Sequence, residues 1–86
     1  MSESLLEFPC DFPLKVMGRN EAGFRELVIT LVEGHAGSQE AHRVSQRESR
    51  DGNFLALTIV VRADSQPQLD AIYAALSAHD QVLMVL

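Results

Sequence analysis

The nine residues from Phe54 to Arg62 read FLALTIVVR and follow directly on Arg50-Asp51-Gly52-Asn53. Leu55, Leu57, Ile59 and Val61 fall on one face of an extended chain and Phe54, Ala56, Thr58 and Val60 on the other, the period of a sheet strand. Upstream, Ala41 to Ser49 is polar but alternates about Val44. An Asp-Gly pair between two extended runs signals an antiparallel hairpin closed by a two-residue turn, with positive φ at both central residues. A hairpin with one strongly apolar face is not stable alone and needs a further layer to cover it.

The rest of the chain supplies that layer. Phe12, Leu14 and Val16 alternate with Pro13, Lys15 and Met17, which predicts a strand from Phe12 to Gly18, with Pro13 tolerated near its start. From Glu21 to Glu33 the period changes. Phe24, Leu27, Val28, Leu31 and Val32 make one helical stripe, with Asn20 as the N-cap and Gly34 and Gly37 as the stop. Ser65-Gln66-Pro67-Gln68 is a capping-box pattern, and Leu69, Ile72, Tyr73 and Leu76 form the stripe of a second helix that stops near His79. Gln81 to Leu86 reads as a last strand. The order strand, helix, strand, strand, helix, strand with right-handed crossovers gives an α+β ferredoxin-like βαββαβ sandwich. Its four-stranded antiparallel sheet carries both helices on one face.

Eighty-six residues suffice for one domain and one core. A chain of this size buries only about 60–65% of its unfolded surface, so a homodimer is expected. We divide it into an N-terminal arm, residues 1–11, and a single domain, residues 12–86. Net charge is −5, which argues against general nucleic-acid affinity, since phosphate binding needs clustered cations. The one cysteine excludes an internal disulfide, the N-terminus lacks the features of a secretory signal, and no apolar run is long enough to span a bilayer. These observations point to a cytoplasmic chain without membrane contact.

Leu5-Leu6-Glu7-Phe8-Pro9, Lys15-Val16-Met17-Gly18, Gly52-Asn53 opening a strand, and the closing Met84-Val85-Leu86 together resemble the YbeD-like family of short bacterial proteins. The similarity covers nearly the whole chain. It implies a ferredoxin-like fold similar to ACT regulatory domains, no catalytic residues, and a suspected regulatory link to lipoate metabolism. Gly18-Arg19-Asn20-Glu21-Ala22-Gly23-Phe24 also resembles the ACT strand-to-helix turn, with Asn20 where Asp is usual. In ACT domains that turn meets a small ligand, commonly an amino acid, at a subunit interface.

No catalytic set is visible, so an enzyme is not expected. Cys10 lies between Pro9 and Asp11, without the base or cation that activates a thiol. His35 and His79 end antiparallel helices and close opposite ends of the domain, and adding His42 to His35 gives only two ligands, so no metal and no cofactor is expected. Two surfaces remain as candidates. Arg19, Asn20, Gly23, Arg50 and His79 should meet at one end of the sheet, where the amides of residues 21–23 with Arg19 or Arg50 form a candidate site for a small anion or amino acid. The open sheet face should show Lys15, Met17, Arg43, Ser45, Arg47, Phe54, Ala56, Thr58, Val60 and Arg62, with Leu83 and Val85. Apolar at its centre and rimmed by arginine, it fits contact with a protein partner. RNA is disfavoured there, because Phe54 is the sole aromatic offered for base stacking. The sequence thus predicts a small regulatory or adaptor domain working through that face or an edge, with a sensor of a small anion or amino acid as the alternative.

Overall fold

The structure, a computed structural model, describes residues 7–37 and 43–86. Its elements are β1 (Cys10–Arg19), α1 (Phe24–Ala36), β2 (Val44–Glu48), β3 (Phe54–Ala63), α2 (Gln66–Ser77) and β4 (Val82–Val85). They form one four-stranded sheet in the order β2-β3-β1-β4, antiparallel throughout, which is the expected ferredoxin-like architecture. Leu14, Val16, Leu55, Leu57, Ile59 and Val61 of the sheet form one core cluster with Phe24, Val28 and Val32 of α1 and Ile72 and Leu76 of α2, and Leu69 of α2 is buried as well. Each full burial of such a side chain contributes about 1.5–3 kcal/mol before the entropic costs of folding are counted. Among the described residues no polar or charged side chain is buried.

Several local features differ from the sequence expectation. Strand β1 starts at Cys10, two residues early, so Cys10 and Asp11 belong to the sheet. Pro13 sits well inside this central strand, opposite Val60 of β3. The amide of Lys15 points at β4, where it donates to the Leu86 carbonyl at 3.1 Å. By alternation the nitrogen of Pro13 points to the same side, beyond the last β4 pairing, so its missing N–H removes no ladder bond.

Helix α1 begins at Phe24, and its N-cap is Gly23 at φ 87°, not Asn20. The Asn20 side chain instead donates to the Gly52 carbonyl at 3.0 Å, and its backbone amide donates to the Asn53 carbonyl at 2.8 Å. The helix is also longer than expected, running through Gly34 to Ala36. The β2–β3 hairpin is closed by a four-residue loop, residues 50–53, because only Gly52 has a positive φ and Asp51 does not. The Gly52 amide donates to the Ser49 carbonyl at 2.9 Å. The Asp51 carboxylate accepts from the Ser49 hydroxyl at 2.7 Å and the Asn53 amide at 3.1 Å, and both bonds hold its pKa below the usual 3.8. Of the second expected strand, Ala41 and His42 lie outside the described residues, as do Leu5 and Leu6 of the arm.

Ser65 caps α2 as expected, accepting from the Gln68 amide at 3.3 Å. Gln68 reaches past its own cap. Its Oε1 accepts from the Asp64 amide at 2.7 Å while its Nε2 donates to the His35 carbonyl at 3.0 Å, so one side chain ties the start of α2 to the last turn of α1.

Candidate functional site

With both helices on one side, the other face of the sheet is left open, and strand pairing decides what it shows. Lys15 lies opposite Thr58, Met17 opposite Ala56 and Arg19 opposite Phe54, while Ser45 and Arg47 of β2 lie opposite Thr58 and Ala56 from the other side. Ala56 carries the smallest side chain of this group, so the centre of the face is low. Two adjacent hollows share Arg47 and Ala56 as lining residues, and together they make up a trough along β3. The larger, about 300 Å³, is lined by Met17, Arg47, Glu48, Ser49, Arg50, Phe54 and Ala56. The smaller, about 230 Å³, is lined by Lys15, Ser45, Gln46, Arg47, Ala56 and Thr58.

The cations on this face fall into two groups. At the end near the start of β1, Asp11 holds both Arg43 at 3.1 Å and Arg62 at 3.5 Å, and Arg43 also donates to the Val60 carbonyl. The hydrogen bond from Arg43, aided by the charge of Arg62, holds the Asp11 carboxyl below its usual 3.8. Along the trough, Lys15, Arg47 and Arg50 make no ion pair with any described residue. The guanidinium of Arg19 lies 6.0 Å from the centroid of the Phe54 ring, so the one aromatic of the face already carries a cation–π contact.

Strand β4 adds apolar surface that the alternation misplaced. Met84 pairs with Met17 but Val82 pairs with Gly18, so Leu83 is the extra residue of a β-bulge. The bulge reverses the alternation. Met84, and Leu86 through its mutual backbone bonds with Lys15, stand on the open face at 50% and 59% exposure, whereas Val82 and Val85 pack against the core. The expectation that Val85 faces outward is corrected accordingly.

The loop cluster does assemble at one end, since Asn20 bonds the hairpin loop and Gly18 lies beside the Gln81 carbonyl. The five residues named for it have separate engagements. Arg19 and Arg50 belong to the open face, Asn20 braces the hairpin, and Gly23 caps α1. The Nδ1 of His79 accepts from the Gln81 amide at 3.4 Å. The amide of Glu21 is taken by the Arg19 carbonyl at 2.9 Å, and neither hollow of the open face is lined by Asn20, Gly23 or His79. Cys10 is half-buried and free. Among the described residues no group of three His, Cys, Asp or Glu side chains gathers as a metal site would require, and no helix is long and apolar enough to cross a membrane.

Residues 3–86 match the family described as Protein of unknown function (DUF493). The chain belongs to the DUF493 family. It is 48% identical over 86 residues to a UPF0250 protein of Paraburkholderia phytofirmans, covering all of this chain and 97% of that one. It is 48% identical over 84 residues to one of Ralstonia nicotianae, covering 98% and 87%, and 46% identical over 83 residues to one of Neisseria meningitidis serogroup A, covering 96% and 91%. The YbeD-like resemblance read from the sequence is therefore correct, since that family is the UPF0250 group. The DUF493 and UPF0250 names assign no activity, so function has to be argued from this chain's own surface.

Of the interaction residues named from sequence, Lys15, Met17, Arg47, Phe54 and Thr58 line the trough, while Arg43 and Arg62 form the ion cluster with Asp11. Arg19, Arg50, Asp11, Met84 and Leu86 were not assigned to this face. Asp11 shares the parity of Lys15 and was readable had the strand been extended back beyond Phe12. The last two depend on a bulge that no local residue pattern announces.

Proposed function

We propose that this DUF493 chain is a non-enzymatic cytoplasmic adaptor or regulatory domain whose open sheet face holds a partner protein. The observation that supports it best is the trough itself: low at Ala56, flanked by Met17 and Phe54, extended by exposed Met84 and Leu86, and bordered by cations with no ion pair among the described residues. An apolar centre with a charged rim is the anatomy of a protein-contact surface. RNA is a poorer fit, because Arg19 lies over the only aromatic ring available for stacking. Affinity capture from the host with the wild type and with an Arg47→Glu, Phe54→Ser double variant tests this. A partner held by the wild type and lost by the folded variant is expected; retention of the same proteins by both would overturn it.

Self-association belongs on a different surface. A twofold stack of two open faces would set one basic trough against another, and such like-charge contacts cost several kcal/mol. The outer edge of β4 carries neither a charge nor a proline, whereas β2, at the other edge, carries Arg47 and Glu48. Pairing of two β4 edges would form a continuous eight-stranded sheet. Light scattering should then show a dimer that a Leu83→Lys variant converts to monomer, and a monomeric wild type at high concentration would refute it.

A further inference from the structure

Of the seven lysines and arginines in the chain, six stand on the open face or its rim: Lys15, Arg19, Arg43, Arg47, Arg50 and Arg62. The seventh, Arg25, lies on α1 and donates to Gln46 at 2.7 Å. Of the chain's twelve acidic residues, Asp11 is engaged by Arg43 and Arg62, Glu48 lines the rim beside Arg47 and Arg50, and Asp51 is held in the hairpin loop by Ser49; against six cations these leave the face net positive. A protein of net charge −5 therefore carries one basic face, and the unpaired part of it coincides with the trough.

We infer that the partner segment taken by this trough is acidic, with carboxylates spaced around an apolar anchor side chain that sits over Ala56. This rests on the reading of the open face as a protein-contact surface and names the chemistry of what it contacts. Lys15, Arg47 and Arg50 border the trough with no counter-ion among the described residues, so an incoming carboxylate meets cations that break no described ion pair to receive it. Met17, Ala56 and Phe54 supply the apolar floor and wall that reward an anchor. Four residue rises from Phe54 to Thr58 give a length of roughly 13 Å, which suits an extended run of about four residues or about two turns of helix. A second copy of the chain is the weaker occupant. Seating its acidic helix layer in the trough would be a head-to-tail contact, which gives rings or open polymers and not the twofold dimer argued above.

The probe is a synthetic peptide of about twelve residues, long enough to span the trough, in which Glu-Glu-Leu repeats. Its companions are a Glu-Glu-Ser repeat, a Lys-Lys-Leu repeat and an oligouridylate of the same length. Binding is followed by backbone NMR shifts and by titration calorimetry on the intact chain. The Glu-Glu-Leu peptide should shift the amides of Arg47, Ala56 and Thr58, and bind roughly tenfold more tightly than the Ser or Lys repeats. Raising ionic strength from about 0.05 to about 0.3 M should weaken it several-fold. Arg47→Glu should weaken it roughly tenfold, while Arg25→Glu, an equal change in net charge on the helix layer, should weaken it less than about twofold. Both variants are checked for native spectra first. Equal binding of the Lys and Glu repeats, equal effects of the two variants, tighter binding of oligouridylate with shifts at Phe54, or no binding of the Glu-Glu-Leu peptide would each overturn the inference. So would concentration-dependent polymers of the chain alone. A host partner captured through Arg47 and Phe54 would leave the broader reading standing in all of these cases.

Discussion

At Gly18 the first strand passes directly beneath the ring of Phe24 and beside the turn after α2. A Cβ placed there would overlap the Phe24 ring and lie 2.5 Å from the Gln81 carbonyl oxygen, which is backbone and cannot swing aside. Gly18→Ala is therefore expected to destabilise the fold by about 1–3 kcal/mol, measured as a shift of the urea midpoint, and more if β4 is displaced. Asp11 makes a second residue-level case. Arg43 and Arg62 lower its folded pKa below 3.8, so its contribution is complete above the unfolded value and is lost as pH falls through the folded one. Between about pH 5 and about pH 2 the wild type should lose stability more steeply than Asp11→Asn, as read from urea midpoints at each pH.

Among the elements, β3 and both helix stripes were legible because burial on one face repeats at the element's own period. Leu55, Leu57, Ile59 and Val61 are all buried as the alternation requires. The ends were less legible, because they are decided by contacts distant in sequence. Asn20 has the chemistry of an N-cap, yet its amide is drawn to a hairpin loop thirty-two residues away, and Gly23 takes the cap. Asp51-Gly52 marks a turn correctly, but Asp51 keeps a negative φ because Ser49 and Asn53 hold its carboxylate, and the loop widens to four residues. The β4 bulge yields a prediction that simple alternation would reverse. Val85→Ser should cost about 1–2 kcal/mol by removing a partly buried side chain from the core edge, whereas Met84→Ser should stay within about 0.5 kcal/mol in the same urea assay.

On the scale of the whole molecule, the division of labour is between two sides of one sheet. The helix side holds the core, and the charges exposed around it are mostly acidic. The open side gathers six of seven cations about a shallow apolar trough. Sequence periodicity placed Lys15, Met17, Arg47, Phe54 and Thr58 together, since parity along paired strands fixes which face a residue joins. It did not show which of the cations are already satisfied, because the Asp11 cluster depends on cross-strand register and on a strand that begins before Phe12. The claim that this open side is the contact surface is tested most directly by photo-crosslinking in the host cell. Thr58 in the trough and Ala74 on the exposed side of α2 are each replaced in turn by p-benzoylphenylalanine, and adducts are resolved by mass. A discrete protein adduct from position 58 and none from position 74 is the expected result; adducts from position 74 alone, or equally from both, would contradict the account.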